Sequence, residues 1–86
     1  HAMQLIAHYT VADHAAFRAA FDADAEDRGH NGLSLLQLWR EDDRNAWALF
    51  QVNDAKAARA YLSSGGAAFN AQAGVSATDF HFLETA

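Results

Sequence analysis

Two histidines in apolar, strand-like segments are the strongest candidates for chemistry. His8 lies near the N-terminus, and His81 lies near the C-terminus beside Asp79. If the two segments are neighbouring antiparallel strands, a register pairing residues near 8 with residues near 81 brings both imidazoles within cross-strand reach. Such a pair can share a proton, bind a metal with Asp79 or His14, or act as base and acid toward an enolisable substrate. The competing interpretation is that each histidine only packs and hydrogen-bonds at a sheet face.

Four large aromatic side chains are candidates for binding. Trp39 and Trp47 offer flat apolar surfaces that suit a planar aromatic or polyketide-like ligand, although tryptophans are equally common in dimer interfaces. The hydroxyl groups of Tyr9 and Tyr61 can donate to an oxyanion, or they can be the satisfied polar tips of core residues.

The composition excludes several classes of site. The chain has no cysteine, which excludes disulfides, a thiolate nucleophile and Cys-based zinc or iron–sulfur centres. Gly65-Gly66 lacks the lysine of a phosphate loop, and no serine has the context of a nucleophile elbow. The sequence therefore favours an activity without an organic cofactor.

Charge and hydropathy also exclude classes of partner. Six Lys and Arg against eleven Asp and Glu give a formal net charge of −5, which repels nucleic acid and anionic lipid. No apolar run approaches the about 18 residues that span a bilayer, and a signal peptide is not apparent. We expect a cytoplasmic protein with no nucleic-acid or membrane partner.

The length of 86 residues predicts one domain, spanning 3–86. His1-Ala2 ahead of Met3 is typical of a tag remnant and is set aside. Asp13 and Asp54 are positioned as helix N-caps, Gly74 as a C-cap, and Ser63 to Gly66 as a helix break. Periodicity predicts, in order, a strand over 3–11, a helix over 14–28, strands over 33–40 and 46–52, a helix over 55–62, a short helical turn over 67–73 and a strand over 78–83.

This order predicts an α+β fold of the ferredoxin-like βαββαβ type, with antiparallel sheet order 4-1-3-2 and both helices on one face. Its topology gathers five candidates at one end of the sheet: His8, Tyr9, His14, Asp79 and His81. The strands are apolar on both sides, as in the third strand, where Phe50 and Trp47 point in opposite directions. In an antiparallel sheet with one face in water, apolar and polar residues alternate more regularly along each strand. The second face of this sheet is therefore expected to pack against another copy of the chain.

Short matches to a known pattern run along nearly the whole chain: Val11-Ala12-Asp13, Phe17, Ala20-Phe21-Asp22, Arg28, Gly32, Trp47 to Phe50, Asp54 to Ala60 and Ala73-Gly74-Val75. Through them the sequence resembles the dimeric α/β barrel superfamily, which includes antibiotic-biosynthesis-type monooxygenases and small polyketide cyclases. The resemblance implies that two ferredoxin-like sheets pack face to face into a barrel. It also implies a pocket in each subunit, between the sheet and the helices or inside the barrel.

The sequence thus predicts a homodimer that binds a small hydrophobic molecule. The favoured activity is that of a cofactor-independent cyclase, isomerase or monooxygenase acting on an aromatic or polyketide-like metabolite. His8 and His81 are the predicted proton-transfer residues, and the predicted substrate-binding residues are Tyr9, His14, Trp39, Trp47 and Asp79. Two alternatives stay open, namely a non-catalytic protein that holds a ligand or metal, and a structural dimer with a filled barrel.

Overall fold

A computed structural model describes residues 2–86; His1, half of the predicted tag remnant, lies outside the described residues. The elements are β1 (Met3–Val11), α1 (His14–Ala23), α2 (Ala25–His30), β2 (Leu33–Arg40), β3 (Asn45–Val52), α3 (Ala55–Ala73) and β4 (Val75–Glu84). None of the helices in this part of the chain is long and apolar enough to cross a membrane.

The sheet is antiparallel throughout, with strand order β2-β3-β1-β4. This is the predicted ferredoxin-like order 4-1-3-2, counted from the other edge. The odd-numbered residues of β1, such as Leu5 and Tyr9, are buried together with Phe17 and Phe21 of α1 and Phe50 of β3. The core therefore lies between the helices and one face of the sheet, as alternation along the strands requires.

The predicted caps of the first and last helices are confirmed. The Asp13 carboxylate accepts a hydrogen bond from the amide of Ala15 at 3.1 Å, and that of Asp54 accepts one from the amide of Ala57 at 3.0 Å. Gly74 ends α3 in the left-handed conformation, with φ of 68°. Each cap satisfies backbone groups that would otherwise lack a partner at a helix end.

We expect Asp13→Ala and Asp54→Ala each to lower the free energy of unfolding by about 1 kcal/mol, because each removes a side-chain acceptor from a helix N-terminus. Thermal melts at one fixed protein concentration measure the effect. Glu84→Ala, which removes an exposed carboxylate at the end of β4, is the control. Melts of the two cap variants that match the control would show that these bonds do not stabilise the helices.

Two helix predictions are wrong in their boundaries. The helix predicted over 14–28 is two helices, with the chain turning at Asp24, whose amide still bonds to the Ala20 carbonyl. The predicted break at 63–66 is absent, since α3 runs from Ala55 to Ala73. The last strand is longer than its predicted span of 78–83 and begins directly after Gly74.

Helix α3 continues through Ser63 to Gly66 because packing compensates for their low helix propensity. The Ser63 and Ser64 hydroxyl groups donate to the carbonyl groups of the residues four positions earlier. Leu62 and Phe69, on either side of the glycines, pack against the core. Tertiary packing of this kind commonly outweighs a propensity cost of about 1 kcal/mol per glycine.

The second face of the sheet, which we call the outer face, is not covered by any helix or strand of residues 2–86. Its apolar members are Ile6, Trp39, Trp47, Leu49 and Leu83, by their alternation with the buried positions. Trp39 and Leu83 are 44% and 47% exposed. Leu36, 51% exposed, lies where the pairing of β2 with β3 shifts register. Both faces of the sheet therefore carry apolar side chains, and those of the outer face are partly exposed in the single chain.

Candidate functional site

A cavity of about 230 Å³ lies between the sheet and the helices. Aromatic rings form much of its wall: Tyr9, Phe21, Phe50, Phe69 and Phe80. Gly65 and Gly66 of α3 also line it, and a β-carbon placed at Gly66 would meet no atom within 4 Å. A concave, mainly apolar space with few polar groups is typical of a small-molecule site.

Arg28 brings a buried positive charge to this cavity. The residue is 6% exposed, and its Nη1 donates to the carbonyl oxygen of Phe21 at 2.7 Å. The guanidinium carbon lies 3.9 Å from the centre of the Phe21 ring, and Nη1 lies 3.7 Å from the Asp24 carboxylate. Burial lowers the pKa of Arg28, with Asp24 opposing the shift. The side chain remains a cation, because an arginine does not deprotonate in a protein.

Asp24 and Tyr61 form a polar pair at the edge of the cavity. The Tyr61 hydroxyl donates to the Asp24 carboxylate across 37 residues of sequence. Burial raises the pKa of Tyr61, and the hydrogen bond to Asp24 raises it further by a smaller amount. Both residues also line a neighbouring surface groove, so the pair lies between the cavity and that groove. The Asp24 side chain is only 22% exposed, although it lies in an acidic stretch of the sequence.

Tyr9 presents a second donor to the same space. It is 4% exposed, and its hydroxyl has no hydrogen-bond partner within residues 2–86. Burial raises its pKa, the charge of Arg28 opposes this, and the charge of Asp24 adds to it by a smaller amount. Tyr9 is therefore a neutral hydroxyl at physiological pH, and its proton is available to an acceptor in the cavity.

The predicted histidine site lies on the opposite side of the sheet, on the outer face. His8 pairs with Asp79 across β4, whereas His81 pairs with Ile6, so the two imidazoles are not directly opposite each other. His8 is half-buried. Its Nε2 donates to Asn45 Oδ1 at 2.8 Å, and its Nδ1 lies 3.7 Å from Asp79. His81 is exposed in the single chain.

The other predicted site residues divide between the two faces. Trp39 and Trp47 pair with each other on the outer face, where Trp47 also stacks on His8 at 4.4 Å between ring centres. His14 begins α1 at the same end of the sheet, with its Nδ1 buried and without a hydrogen bond in the described residues. Tyr9 lies at the same end of the sheet but faces the helices instead of the outer face. Successive strand residues point to opposite faces.

A metal-binding arrangement of these side chains is not found. Within residues 2–86, no group of three or more His, Cys, Asp or Glu side chains is placed to hold a metal ion.

Solved structures similar to this chain share one architecture. SnoaB, a cofactor-independent oxygenase from Streptomyces nogalater, is 21% identical with a TM-score of 0.69, covering 99% of this chain and 93% of its own. A Deinococcus radiodurans protein, provisionally named an antibiotic biosynthesis monooxygenase, is 11% identical with a TM-score of 0.71, covering 98% and 92%. The fold is that of the antibiotic-biosynthesis-monooxygenase-like proteins. No family model matches the sequence, and no curated protein does either.

Within this monooxygenase-like fold, sequence reasoning missed the polar cluster of Asp24, Arg28 and Tyr61. One signal was present, because Asp24 and Arg28 have the i, i+4 spacing that brings side chains together on a helix. That spacing does not reveal burial. The contact with Tyr61 joins the α1–α2 turn to α3, and such long-range contacts are not visible in local patterns.

Proposed function

We propose that this protein binds a small aromatic or polyketide-like metabolite in the cavity between sheet and helices and acts on it without an organic cofactor. The reaction is a cyclisation, an isomerisation or an oxygenation. SnoaB, which shares the fold, is a cofactor-independent oxygenase. We also propose that the chain is one domain that works in the cytoplasm.

The observation that carries the proposal is the pair of donors in an aromatic cavity. Arg28 and Tyr9 are both buried, both line the cavity, and the Tyr9 hydroxyl has no partner within residues 2–86. The Tyr9 hydroxyl is not among the fully buried polar atoms that lack a partner, so it is open to the cavity and can meet a ligand. An oxygen atom of a bound molecule would satisfy it. A cavity of this size also argues against the alternative of a structural dimer with a filled interior.

The chemistry that fits these groups is removal of a proton next to a carbonyl group. The Asp24 carboxylate can accept the proton, while Tyr9 and Arg28 donate to the oxygen on which negative charge develops. The resulting enolate can add to a second carbonyl group, regain its proton at another carbon or react with O₂. These outcomes correspond to the cyclase, isomerase and monooxygenase activities.

We further propose that the working protein is a homodimer joined through the outer face. The apolar side chains there include Trp39 and Leu83, which a single chain leaves nearly half exposed. Contiguous apolar surface of this kind marks an interaction site. A second copy is the simplest occupant, because a two-fold axis places the same apolar patch on both partners.

The prediction that His8 and His81 transfer protons stays a prediction. Packing of two outer faces would enclose both imidazoles together with Asp79 and Trp47, and the contact of His8 with Asn45 would hold its ring in place. A non-catalytic binding protein remains the other candidate, and substitution separates these possibilities.

Exchange of α-protons in D₂O tests the proposed chemistry, with 2-tetralone as the probe. We expect the protein to accelerate deuterium incorporation over buffer. We also expect Tyr9→Phe and Asp24→Asn each to lower the rate by about a hundredfold, as loss of a transition-state donor or a base does. NMR spectroscopy of the tetralone follows the exchange.

His8→Gln distinguishes the two candidate sites, because a reaction in the cavity leaves the exchange rate of this variant unchanged. Loss of activity in His8→Gln but not in Tyr9→Phe would move the reaction to the outer face. Binding of tetralone without any acceleration by the wild-type protein would instead favour the non-catalytic alternative.

A further inference from the structure

The volume of the cavity limits the size of its ligand. An apolar cavity of about 150 Å³ holds a single benzene ring, and pockets for drug-sized ligands begin near about 300 Å³. The cavity of this protein, at about 230 Å³, lies between these values. Its walls are residues of the sheet and of α1 to α3, packed on the core, so the space between them has room for about one or two rings.

The charges around the cavity select the ligand's polar group. Arg28 is the buried cation, and Asp24, the nearest carboxylate, has part of its hydrogen-bonding capacity engaged by Tyr61. Arg28 and the Tyr9 hydroxyl both line the cavity, so the two groups can donate to the same ligand oxygen. A cationic donor and a neutral donor together favour an oxygen atom carrying negative charge.

We infer that the cavity takes a flat molecule of one or two rings with an anionic oxygen, a phenolate, enolate or carboxylate, held by Tyr9 and Arg28. The inference rests on the proposed use of this cavity as the substrate site. It narrows the ligand class and excludes polyketides of three or more fused rings. Apolar ring atoms contact the phenylalanine side chains, and the oxygen meets the two donors.

A series of ligands tests both limits by isothermal titration calorimetry. The probes are 1-naphthoate, 1-naphthol, naphthalene and 9-anthracenecarboxylate. We expect 1-naphthoate to bind at least about tenfold more tightly than naphthalene, because only it pairs with the buried donors. We expect no measurable binding of the three-ring acid. Comparison of naphthol above and below its own pKa distinguishes a charged oxygen from a neutral hydroxyl.

Two variants locate the binding. Tyr9→Phe is expected to weaken 1-naphthoate about tenfold and to leave naphthalene unchanged, because it removes a hydrogen bond and no volume. Gly66→Leu is expected to abolish the binding of both ligands. Gly66 lines the cavity, and the new leucine side chain would extend into the open space there. Gly29→Leu, at an exposed helical glycine with no atom within 4 Å of the new β-carbon, is the matched control.

Equal affinity for 9-anthracenecarboxylate and 1-naphthoate would overturn the size limit. Equal affinity for naphthalene and 1-naphthoate would overturn the anionic preference. Unchanged binding of 1-naphthoate in Gly66→Leu would place the ligand elsewhere. These outcomes are independent of tetralone exchange, since a molecule can bind in the predicted way whether or not a proton is removed from it.

Discussion

Arg28→Met is expected to lower the free energy of unfolding by about 3 kcal/mol, because it removes one partner of a buried ion pair and leaves the other. Three contacts of the guanidinium disappear with it. These are the hydrogen bond to the carbonyl of Phe21, the ion pair with Asp24 and the stacking on the Phe21 ring. For a domain of this size the loss corresponds to a melting temperature lower by about 15 °C.

Arg18→Met is the matched control for this experiment. Arg18 also forms an i, i+4 pair, with Asp22, but both side chains are 58% exposed. Exposed ion pairs contribute about 0 to 1 kcal/mol to the free energy of unfolding, so the control should melt close to the wild-type protein. The double variant Arg28→Met with Asp24→Asn should recover part of the loss, since no unpaired carboxylate remains. Equal melting of the Arg18 and Arg28 variants would contradict the account of the buried pair.

Trp39→Glu is expected to separate the proposed dimer into single chains. Trp39 is 44% exposed on the outer face and pairs with Trp47, so it would lie within an interface formed by that face. Buried tryptophans contribute about 2 kcal/mol or more to an interface, and a carboxylate in the same place adds a desolvation cost. The dimer dissociation constant should therefore rise at least about thirtyfold.

Sedimentation velocity at micromolar concentration measures this change. The wild-type protein should sediment at twice the mass of the chain, and Trp39→Glu at the mass of one chain. Ala19→Glu places the same charge on an exposed position of α1 and should remain dimeric. A wild-type protein that sediments as a single chain, or a Trp39→Glu variant that stays dimeric, would rule out the outer face as the interface.

The sequence was informative about elements whose causes are local. The capping carboxylates of Asp13 and Asp54 and the positive φ of Gly74 follow from neighbouring residues, and each was predicted correctly. The predicted spans of β1 and β2 also match the structure, because both are short segments rich in apolar and β-forming residues. From the order of these elements the sheet topology follows, because few chain paths satisfy right-handed crossovers.

Prediction was poorer where distant residues decide the outcome. Ser63 to Gly66 is a helix-breaking pattern locally, yet the packing of Leu62 and Phe69 keeps α3 continuous. The register of β1 with β4 was also not predictable. It places Asp79, and not His81, opposite His8. A shift of one residue reverses the face of every side chain, so register decides which candidates share a site.

The cavity shows the same limit most clearly. The sequence directed attention to histidines, whereas the enclosed space is bordered by Tyr9, Asp24, Arg28 and Tyr61. Of these, only Tyr9 and Tyr61 were considered as donors, and neither was placed beside a buried cation. Burial of a lone arginine within an acidic stretch depends on the position of α2 against β2 and on Phe21 and Phe50, which sequence patterns do not specify.

A crystal structure of the protein with 1-naphthoate tests the central claim most directly. We expect density for the two rings in the cavity between the sheet and the helices, with the carboxylate within hydrogen-bonding distance of the Tyr9 hydroxyl and the Arg28 guanidinium. Density for the ligand on the outer face beside His8 and Trp47, with the cavity unoccupied, would contradict this claim.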